Sequence, residues 1–303
     1  VRLNLALVQY GLDFLTREEL GDGKYTEIST PFFMNQEAMA KTAQLEQFDE
    51  ELYAVLEMSR GSASGDDAPK LKDKKYLIAT SEQPLSAYHM DEWIQEQDLP
   101  IRYAGQSTCF RKEAGSAKDV RGIFRVHQFD KIEQFCITTP EKSWEEHERM
   151  LLQSELFYQS LDLPYQVIAI VSGALNKAAS KKLDLEAWFP AQKAYRELVS
   201  CSNCTDYQSR SLGIRCGAKT AEQKQKRYVH MLNSTLVATT RTICCLLEVH
   251  QTPEGVNVPK VLQPYLRGLT FIPFIHPVPV DEMEKSKAGK AGTSKKPAAA
   301  ASV

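Results

Sequence analysis

The chain has 303 residues, of which 43% are hydrophobic and 25% are charged, a composition typical of a soluble globular protein. Its length allows one large domain or two small ones with a sizeable buried core. The formal net charge of −2 gives no reason to expect affinity for nucleic acid over the whole surface. No apolar run approaches the roughly 20 residues that cross a bilayer, so no membrane partner is expected.

The first predicted element is a helix at 1–16 that is apolar on two sides. One side carries Leu5, Val8, Leu12 and Leu15, and the other carries Leu3, Leu7 and Phe14. Such a helix is either buried in the core of its own chain or placed in an oligomer interface. Periodicity alone slightly favours the core helix.

The remaining elements alternate without a regular strand–helix rhythm, which predicts an α+β fold with a largely antiparallel sheet. In chain order they are a strand at 24–34 that ends at Pro31, a mobile surface loop at 59–75, a strand at 76–80, a helix at 84–94, a hairpin of strands 107–114 and 122–135 joined by the loop 115–121, a helix at 142–161, strands at 165–171 and 228–238, and a helix at 239–251 with threonine as its N-cap. From 282 the chain is rich in Lys, Ala, Gly and Ser without apolar periodicity, and this tail is predicted to be disordered.

The hairpin at 107–135 concentrates charge in an unusual way. Because strand side chains alternate, Arg111 and Glu113 share one face. The second strand carries Arg125, His127, Phe129, Lys131, Glu133 and Phe135 on one face and Phe124, Val126 and Ile132 on the other. Two interpretations stay open: a charged surface hairpin, or the wall of a site that stacks a flat ring, holds a phosphate and grips an ammonium.

Two further segments favour the second interpretation. Thr80 and Glu82 in "ATSEQP" follow a predicted strand, and "LNSTLVATTR" puts Asn233 and Thr235 on one face before Arg241 at a helix start. Small polar and charged groups therefore stand beside three predicted strand ends.

Four segments together resemble the class II aminoacyl-tRNA synthetases and, more narrowly, the seryl-tRNA synthetases of the eukaryotic cytosolic type. These segments are "FRKEAG…RGIFRVHQF", "TSEQP", "LNSTLVATTR" and "RELVSCSNCTDYQSR". The resemblance extends over about residues 1–280 and implies an antiparallel sheet flanked by helices. It makes 1–281 the catalytic domain and 282–303 a Lys/Ala-rich tail. It also assigns the 1–34 region to a homodimer interface, which overturns the preference for a purely intramolecular helix.

The resemblance implies roles at the nucleotide end of a site. Arg111 would clamp the α-phosphate and the amino-acid carboxylate, Glu113 would read the adenine amino group, and Phe129 would stack on adenine. Arg241 would meet the γ-phosphate and the other adenine face. Glu197 and Ser200 would hold a Mg²⁺ that bridges the phosphates, since this ion prefers oxygen ligands.

At the amino-acid end, the resemblance assigns Glu133 to the serine ammonium, and Thr80 and Glu82 to a loop near the same amine. Asn233 and Thr235 would surround the serine side chain. The implied activity is the ATP-dependent charging of tRNA(Ser) with L-serine in the cytoplasm, with tRNA(Sec) as a second candidate substrate. A site built to bond a hydroxyl rejects alanine, because its polar groups would stay unpaired.

Several alternatives and departures remain. The chain is alternatively a catalytically silent, RNA-binding or regulatory relative, or a synthetase for another small amino acid. The loop at 115–121 is one residue shorter than the form expected in the family, and the family's N-terminal coiled-coil arm has no counterpart here. "CSNC" at 201–204 lacks a second cysteine pair at a suitable spacing, so no zinc is expected.

Overall fold

The structure is a computed structural model that describes residues 1–42, 51–56, 74–113, 122–217 and 227–276. The α-helices of this part of the chain are α1 (Arg2–Thr16), α2 (Gln36–Thr42), α3 (Glu82–Ala87), α4 (Ser143–Ser160), α5 (Tyr207–Leu212) and α6 (Thr239–His250). Short 3₁₀ helices lie at Glu18–Gly23, Glu96–Asp98, Pro140–Lys142, Ser172–Ala174, Lys260–Leu262 and Pro264–Leu266.

The strands in the same residues form four sheets. They are β1 (Thr26–Ser29), β2 (Phe33–Asn35), β3 (Ala54–Val55), β4 (Lys75–Leu77), β5 (Trp93–Ile94), β6 (Ile101–Phe110), β7 (Gln128–Thr138), β8 (Tyr165–Ala169), β9 (Lys181–Phe189), β10 (Ala194–Asn203), β11 (Arg215–Cys216), β12 (His230–Ala238), β13 (Gly255–Asn257) and β14 (Phe271–Pro273).

The main sheet has seven strands in the order β1-β6-β7-β12-β10-β9-β8. Only β1 and β6 pair in parallel within it, and the other five pairings are antiparallel. This arrangement confirms the predicted α+β fold with a largely antiparallel sheet.

The larger hydrophobic core lies between one face of this sheet and the helices α1, α4 and α6. Leu7 and Leu15 of α1 are fully buried there, as the apolar periodicity predicts. Gly11 allows α1 to approach the sheet closely, since a Cβ at this position would lie 3.2 Å from Val237 and 3.3 Å from Ile132. The opposite side of α1 leaves Leu5 61% exposed.

The other face of the sheet is divided along the strands. Toward one end it is covered by a smaller apolar cluster that includes Leu85 of α3, Phe135 of β7 and Met231 of β12. Toward the other end, polar side chains line an open cleft. Helices α3 and α5 pack against each other, and Thr80, which lies before α3, accepts a hydrogen bond at 2.8 Å from Lys131 in the lining of the cleft.

The predicted hairpin exists, but its strands are shorter at the connecting end than predicted. β6 ends at Phe110 and β7 begins at Gln128, so Arg111 and Glu113 lie beyond the ladder. Glu113 has a left-handed backbone with φ of 51°, which breaks the alternation on which the prediction depended. Alternation holds within β7, although Phe135 lies in the apolar cluster rather than in a charged site.

Other boundaries also differ from the predictions. The predicted helix at 84–94 is α3, which begins at Glu82 and ends at Ala87, and Trp93–Ile94 is a strand. Pro84 is tolerated because it lies in the first helical turn, where its missing N–H is not needed. Thr239 is the first residue of α6 rather than its N-cap, which is Ala238, and the Thr239 hydroxyl donates to the Asp130 carbonyl oxygen at 3.1 Å.

The strand predicted at 24–34 divides into β1 and β2, with Pro31 in the gap, and the strand predicted at 76–80 is β4, which spans Lys75–Leu77. The predictions for the 115–121 loop and the 282–303 tail lie outside the described residues. So does the loop prediction at 59–75 up to residue 73, whereas Lys75 belongs to β4. No helix in the described ranges has the length and apolar character needed to span a membrane.

Candidate active site

The polar end of the main sheet opens into a cleft of about 500 Å³. The residues lining it are Arg111, Glu113, Phe124, Arg125, Val126, Phe129, Lys131, Glu197, Leu198, Thr235, Ala238, Thr240 and Arg241. They come from the β6–β7 hairpin, from β10, and from the junction of β12 with α6. Six of the eleven predicted site residues line this cleft, namely Arg111, Glu113, Phe129, Glu197, Thr235 and Arg241.

Arg111 lies at the mouth of the hairpin, one residue after β6. Its backbone N–H donates to the His127 carbonyl oxygen at 2.9 Å, which extends the hairpin beyond the ladder. Its guanidinium group lies 5.3 Å from the centre of the Phe129 ring. The structure therefore brings together the cation and the aromatic ring that the sequence placed on one face.

Glu113 and Arg125 face each other across the hairpin as an ion pair at 2.5 Å. The Glu113 side chain is 10% exposed and the Arg125 side chain is 32% exposed. Sequence reasoning placed both residues in the hairpin but did not predict that they pair. An amino group that is bound by Glu113 must therefore share this carboxylate with Arg125.

Arg241 lies in the first turn of α6 and is held by backbone carbonyl groups. It donates to the Glu197 oxygen at 3.0 Å and to the Phe124 oxygen at 3.3 Å, and its guanidinium lies 4.8 Å from the Phe124 ring centre. Burial lowers the pKa of Arg241 below its usual value. Sequence reasoning assigned Phe124 to an apolar face, but 122–127 is not a strand, and this ring lines the cleft as well as the core.

A β-bulge in β10 brings oxygen-bearing side chains to one face of the sheet. The register shifts between Glu197 and Val199, so that Glu197 is opposite Glu186 while Ser200 is opposite Asp184. Paired residues share a face, and residues 184 and 186 share a face because they are two apart. Glu197 and Ser200 are three apart and would otherwise face opposite sides. The bulge is what unites them.

This acidic face is incompletely neutralised. Burial, and then the charge of Glu197, raise the pKa of Asp184 to about 6, while the Lys182 ammonium at 3.3 Å opposes the rise. The Asp184 Oδ1 atom is buried without a hydrogen-bond partner among the described residues. A set of carboxylate and hydroxyl oxygens with uncompensated negative charge fits a hard divalent cation.

The cysteine thiols, including those of Cys201 and Cys204, are free and mostly buried. No group of three or more His, Cys, Asp or Glu residues in the described ranges has the arrangement of a metal site. All seven cysteines are free, and burial raises the pKa of Cys201 to about 12 and that of Cys204 above its usual value.

The inner end of the site is a buried ionic network on β7 and β12. Lys131 forms an ion pair with Glu133 and donates to the Thr80 hydroxyl at 2.8 Å. Thr235 lies directly opposite Glu133 in the sheet, and Lys131 and Glu133 are both nearly inaccessible to solvent. Alternation had put Lys131 on this face, but sequence reasoning gave it no role.

Glu82 connects this network to α5. Its Oε1 atom accepts hydrogen bonds from the Asn233 amide at 3.0 Å and from the Gln208 amide at 2.8 Å. Burial, and then the neighbouring charge of Glu133, raise the pKa of Glu82 to about 7, although Lys131 opposes the rise. Sequence reasoning missed Gln208, since no local pattern indicates a partner 126 residues away in the chain.

The site can therefore do two things chemically. Its outer part presents Arg111, Arg241, a helix N-terminus and an aromatic ring, a combination suited to a phosphorylated ring system. Its inner part presents Glu82 and Glu133 beside hydroxyl groups, a combination suited to a small molecule with an ammonium group.

Several known proteins are similar to this chain over most of its length. The family model described as "tRNA synthetase class II core domain (G, H, P, S and T)" matches residues 66–250. The chain is 61% identical over 278 residues to the serine–tRNA ligase of Helianthus annuus, covering 91% of this chain and 59% of that protein. It is 59% identical over 288 residues to the cytoplasmic serine–tRNA ligase of Schizosaccharomyces pombe, covering 94% of this chain and 60% of that protein.

Two solved structures are similar over most of the chain. The cytoplasmic serine–tRNA ligase of Naegleria fowleri in complex with AMP has a TM-score of 0.82 and 56% identity, covering 91% of this chain and 60% of that one. The seryl-tRNA synthetase of Pyrococcus horikoshii complexed with ATP has a TM-score of 0.78 and 42% identity, covering 92% of this chain and 57% of that one. The chain thus spans about three-fifths of the length of these relatives.

Proposed function

The chain belongs to the class II tRNA synthetase core-domain family, in its cytoplasmic eukaryotic seryl-tRNA synthetase branch, and on this premise we propose that it charges tRNA(Ser) with L-serine. Serine and ATP would form seryl-adenylate, and the seryl group would pass to the 3′-terminal adenosine of tRNA(Ser), with tRNA(Sec) as a second candidate. The observation that carries the proposal is that the cationic cleft adjoins the buried ionic network, since Lys131 and Thr235 both line the cleft, Lys131 pairs with Glu133, and Thr235 lies opposite Glu133 in the sheet.

ATP occupies the outer cleft in this proposal. Arg111 clamps the α-phosphate and the amino-acid carboxylate, and Arg241 meets the γ-phosphate. Phe129 stacks on the adenine ring while Glu113 accepts from the adenine amino group and shares its carboxylate with Arg125, which contacts only its Oε2 atom. The relatives named with AMP and ATP in their complexes support nucleotide binding here.

Serine occupies the inner pocket. Its ammonium lies near Glu82, Glu133 and Thr80, and its side-chain hydroxyl is met by Asn233 and Thr235. Replacing serine by alanine would leave these polar groups unpaired, which is the physical basis of discrimination. Glycine is rejected in the same way, whereas threonine and cysteine are excluded by size and geometry.

Glu197 and Ser200 are the proposed Mg²⁺ ligands, and the bulge that unites them supports this role. When bound, the ion neutralises charge on the phosphates of ATP. The buried Asp184 carboxylate on the same face adds negative charge that favours a cation.

The reaction needs positioning and electrostatics rather than a protein base. A serine carboxylate oxygen attacks the α-phosphorus, the bond to the bridging oxygen breaks, and pyrophosphate leaves. Arg111 stabilises the charge that develops on the phosphoryl oxygens. The 3′-hydroxyl of the tRNA then attacks the acyl carbon, its proton passes to a phosphate oxygen of the adenylate, and AMP leaves with the bonding electrons.

We also propose a homodimer formed through the 1–34 region. The exposed apolar side chains Leu5, Phe32 and Phe33 support it, since they are 61%, 43% and 51% exposed in the single chain. Residues 1–281 form the catalytic domain in this proposal, and 282–303 form its tail. The cytoplasmic relatives support a cytoplasmic location.

Serine-dependent exchange of labelled pyrophosphate into ATP tests the proposal. We expect exchange with serine in the presence of Mg²⁺ and none with alanine, threonine or proline. A folded sample that shows no pyrophosphate exchange with any amino acid would indicate a catalytically silent relative. Exchange with threonine or proline alone would indicate that the substrate is that amino acid rather than serine.

A further inference from the structure

The carboxylate of Glu82 is held by two side-chain amides on a single oxygen. Gln208 of α5 donates to Oε1 at 2.8 Å and Asn233 of β12 donates to the same atom at 3.0 Å. The proposed function already gives Asn233 a place beside the substrate. Gln208 has no such place, and its side chain is 1% exposed.

The burial of Gln208 is costly unless this bond compensates for it. Within the described part of the chain, its Oε1 atom is buried without a hydrogen-bond partner. An unpaired buried carbonyl destabilises a fold, and a methionine of similar volume would avoid that cost. Reversing the amide would not help, because its oxygen would then face the Glu82 carboxylate. The contact that Gln208 makes is therefore its bond to Glu82.

The charges around Glu82 explain why a donor is needed there. Glu133 repels its negative charge, while Lys131 and Arg111 attract it, and the nearby Cys204 thiol is protonated. Lys131 is already paired with Glu133. Burial and Glu133 together bring the pKa of Glu82 to about 7 even with the Gln208 bond in place. Without that bond, the carboxylate would gain a proton at higher pH.

We propose that Gln208 is a positioning residue of the serine pocket, which holds the Glu82 carboxylate ionised and oriented toward the substrate ammonium. The inference rests on the proposed function, because it requires that serine binds beside Glu82. It deepens that function by adding a residue of α5, a helix that contributes no other residue to the proposed site.

The test compares Gln208→Met with the parent chain in serine-dependent pyrophosphate exchange between pH 6 and 9. Loss of a hydrogen bond to a charged group predicts a rise in the KM for serine of about tenfold or more at pH 7. The KM for ATP should change less than about twofold, since the outer cleft is untouched. The pH below which serine affinity declines should move upward by about one unit.

Ser209→Ala is the matched control. Ser209 is the next residue of α5 and is fully buried, and its hydroxyl donates to the Val229 carbonyl oxygen at 2.6 Å rather than to the site. We expect this variant to lose stability while keeping the parental serine KM and pH profile. If Gln208→Met is not folded, Gln208→Asn provides the same test, since its amide is one methylene too short to reach Glu82.

Failure of the proposed serine activation and failure of the Gln208 role give different results in these assays. A parent chain that exchanges no pyrophosphate with serine would remove the proposed function. An active parent whose Gln208 variants keep its serine KM and pH profile would overturn the inference alone. So would an equal rise in the KM for serine and ATP, or a Ser209→Ala variant that behaves as Gln208→Met does.

Discussion

Gly105→Ala should disturb the serine pocket through packing alone. Gly105 lies in β6 opposite Glu133, where the sheet passes beneath the start of α3. A methyl group there would lie 2.7 Å from Leu85 Cδ1 and 2.7 Å from Ser81 Oγ. Both distances are shorter than van der Waals contact, so the segment around Ser81 must move. Overpacking of this kind costs about 1–3 kcal/mol.

Two measurements follow from that displacement. Thermal unfolding should show a Tm lower by about 2–12 °C, since each kcal/mol shifts a domain of this size by about 2–4 °C. Because the displaced segment carries Thr80 and Glu82, the serine KM in pyrophosphate exchange should rise by about tenfold or more. Gly173→Ala is the control, since a Cβ there meets nothing within 4 Å, and it should leave both quantities unchanged.

Two results would contradict this account of Gly105. If Gly105→Ala is as stable as the parent and keeps its serine KM, the close packing of β6 against the start of α3 is wrong. If stability falls while the serine KM is unchanged, the strain is relieved at Leu85, and the segment that holds Glu82 does not move with Ser81.

Three further predictions concern charged groups. Arg111→Ala should lower the exchange rate by about 10²-fold or more without altering the circular dichroism spectrum, and a rate near that of the parent would remove its role as the phosphate clamp. Because the folded-state pKa of Glu82 is raised to about 7, its contribution to stability is complete at low pH and is lost as pH rises through 7. The free energy of unfolding of Glu82→Gln, measured by urea titration, should therefore rise relative to that of the parent by about 1–3 kcal/mol between pH 5 and 8. A difference that does not depend on pH would contradict this. Arg102 makes a two-bond ion pair with Glu146 at 2.8 and 2.5 Å, and both side chains are less than 10% exposed. Arg102→Met should destabilise the fold by about 3–5 kcal/mol, because it leaves the Glu146 charge buried without its partner. The double variant with Glu146→Met should recover most of that loss.

Much of the fold was predictable because its signals are local. The apolar periodicity of α1 and α4 reports burial on one side, and each helix ends within about two residues of its prediction. Alternation within β7 correctly put Phe129, Lys131 and Glu133 on one face. Predictions were wrong where a left-handed residue intervened, as at Glu113 after β6 and at Asp91 after α3.

The amino-acid sequence by itself determined which side chains are available and the local period of each strand and helix. These sufficed to assign an α+β fold and, through resemblance, a family. The tertiary structure alone decided which distant groups meet: the bulge that turns Glu197 and Ser200 to one face, the pair of Glu113 with Arg125, and the Gln208 bond to Glu82. The physical reason is that periodicity describes neighbours along one element, whereas contacts between elements depend on register and packing across the whole sheet.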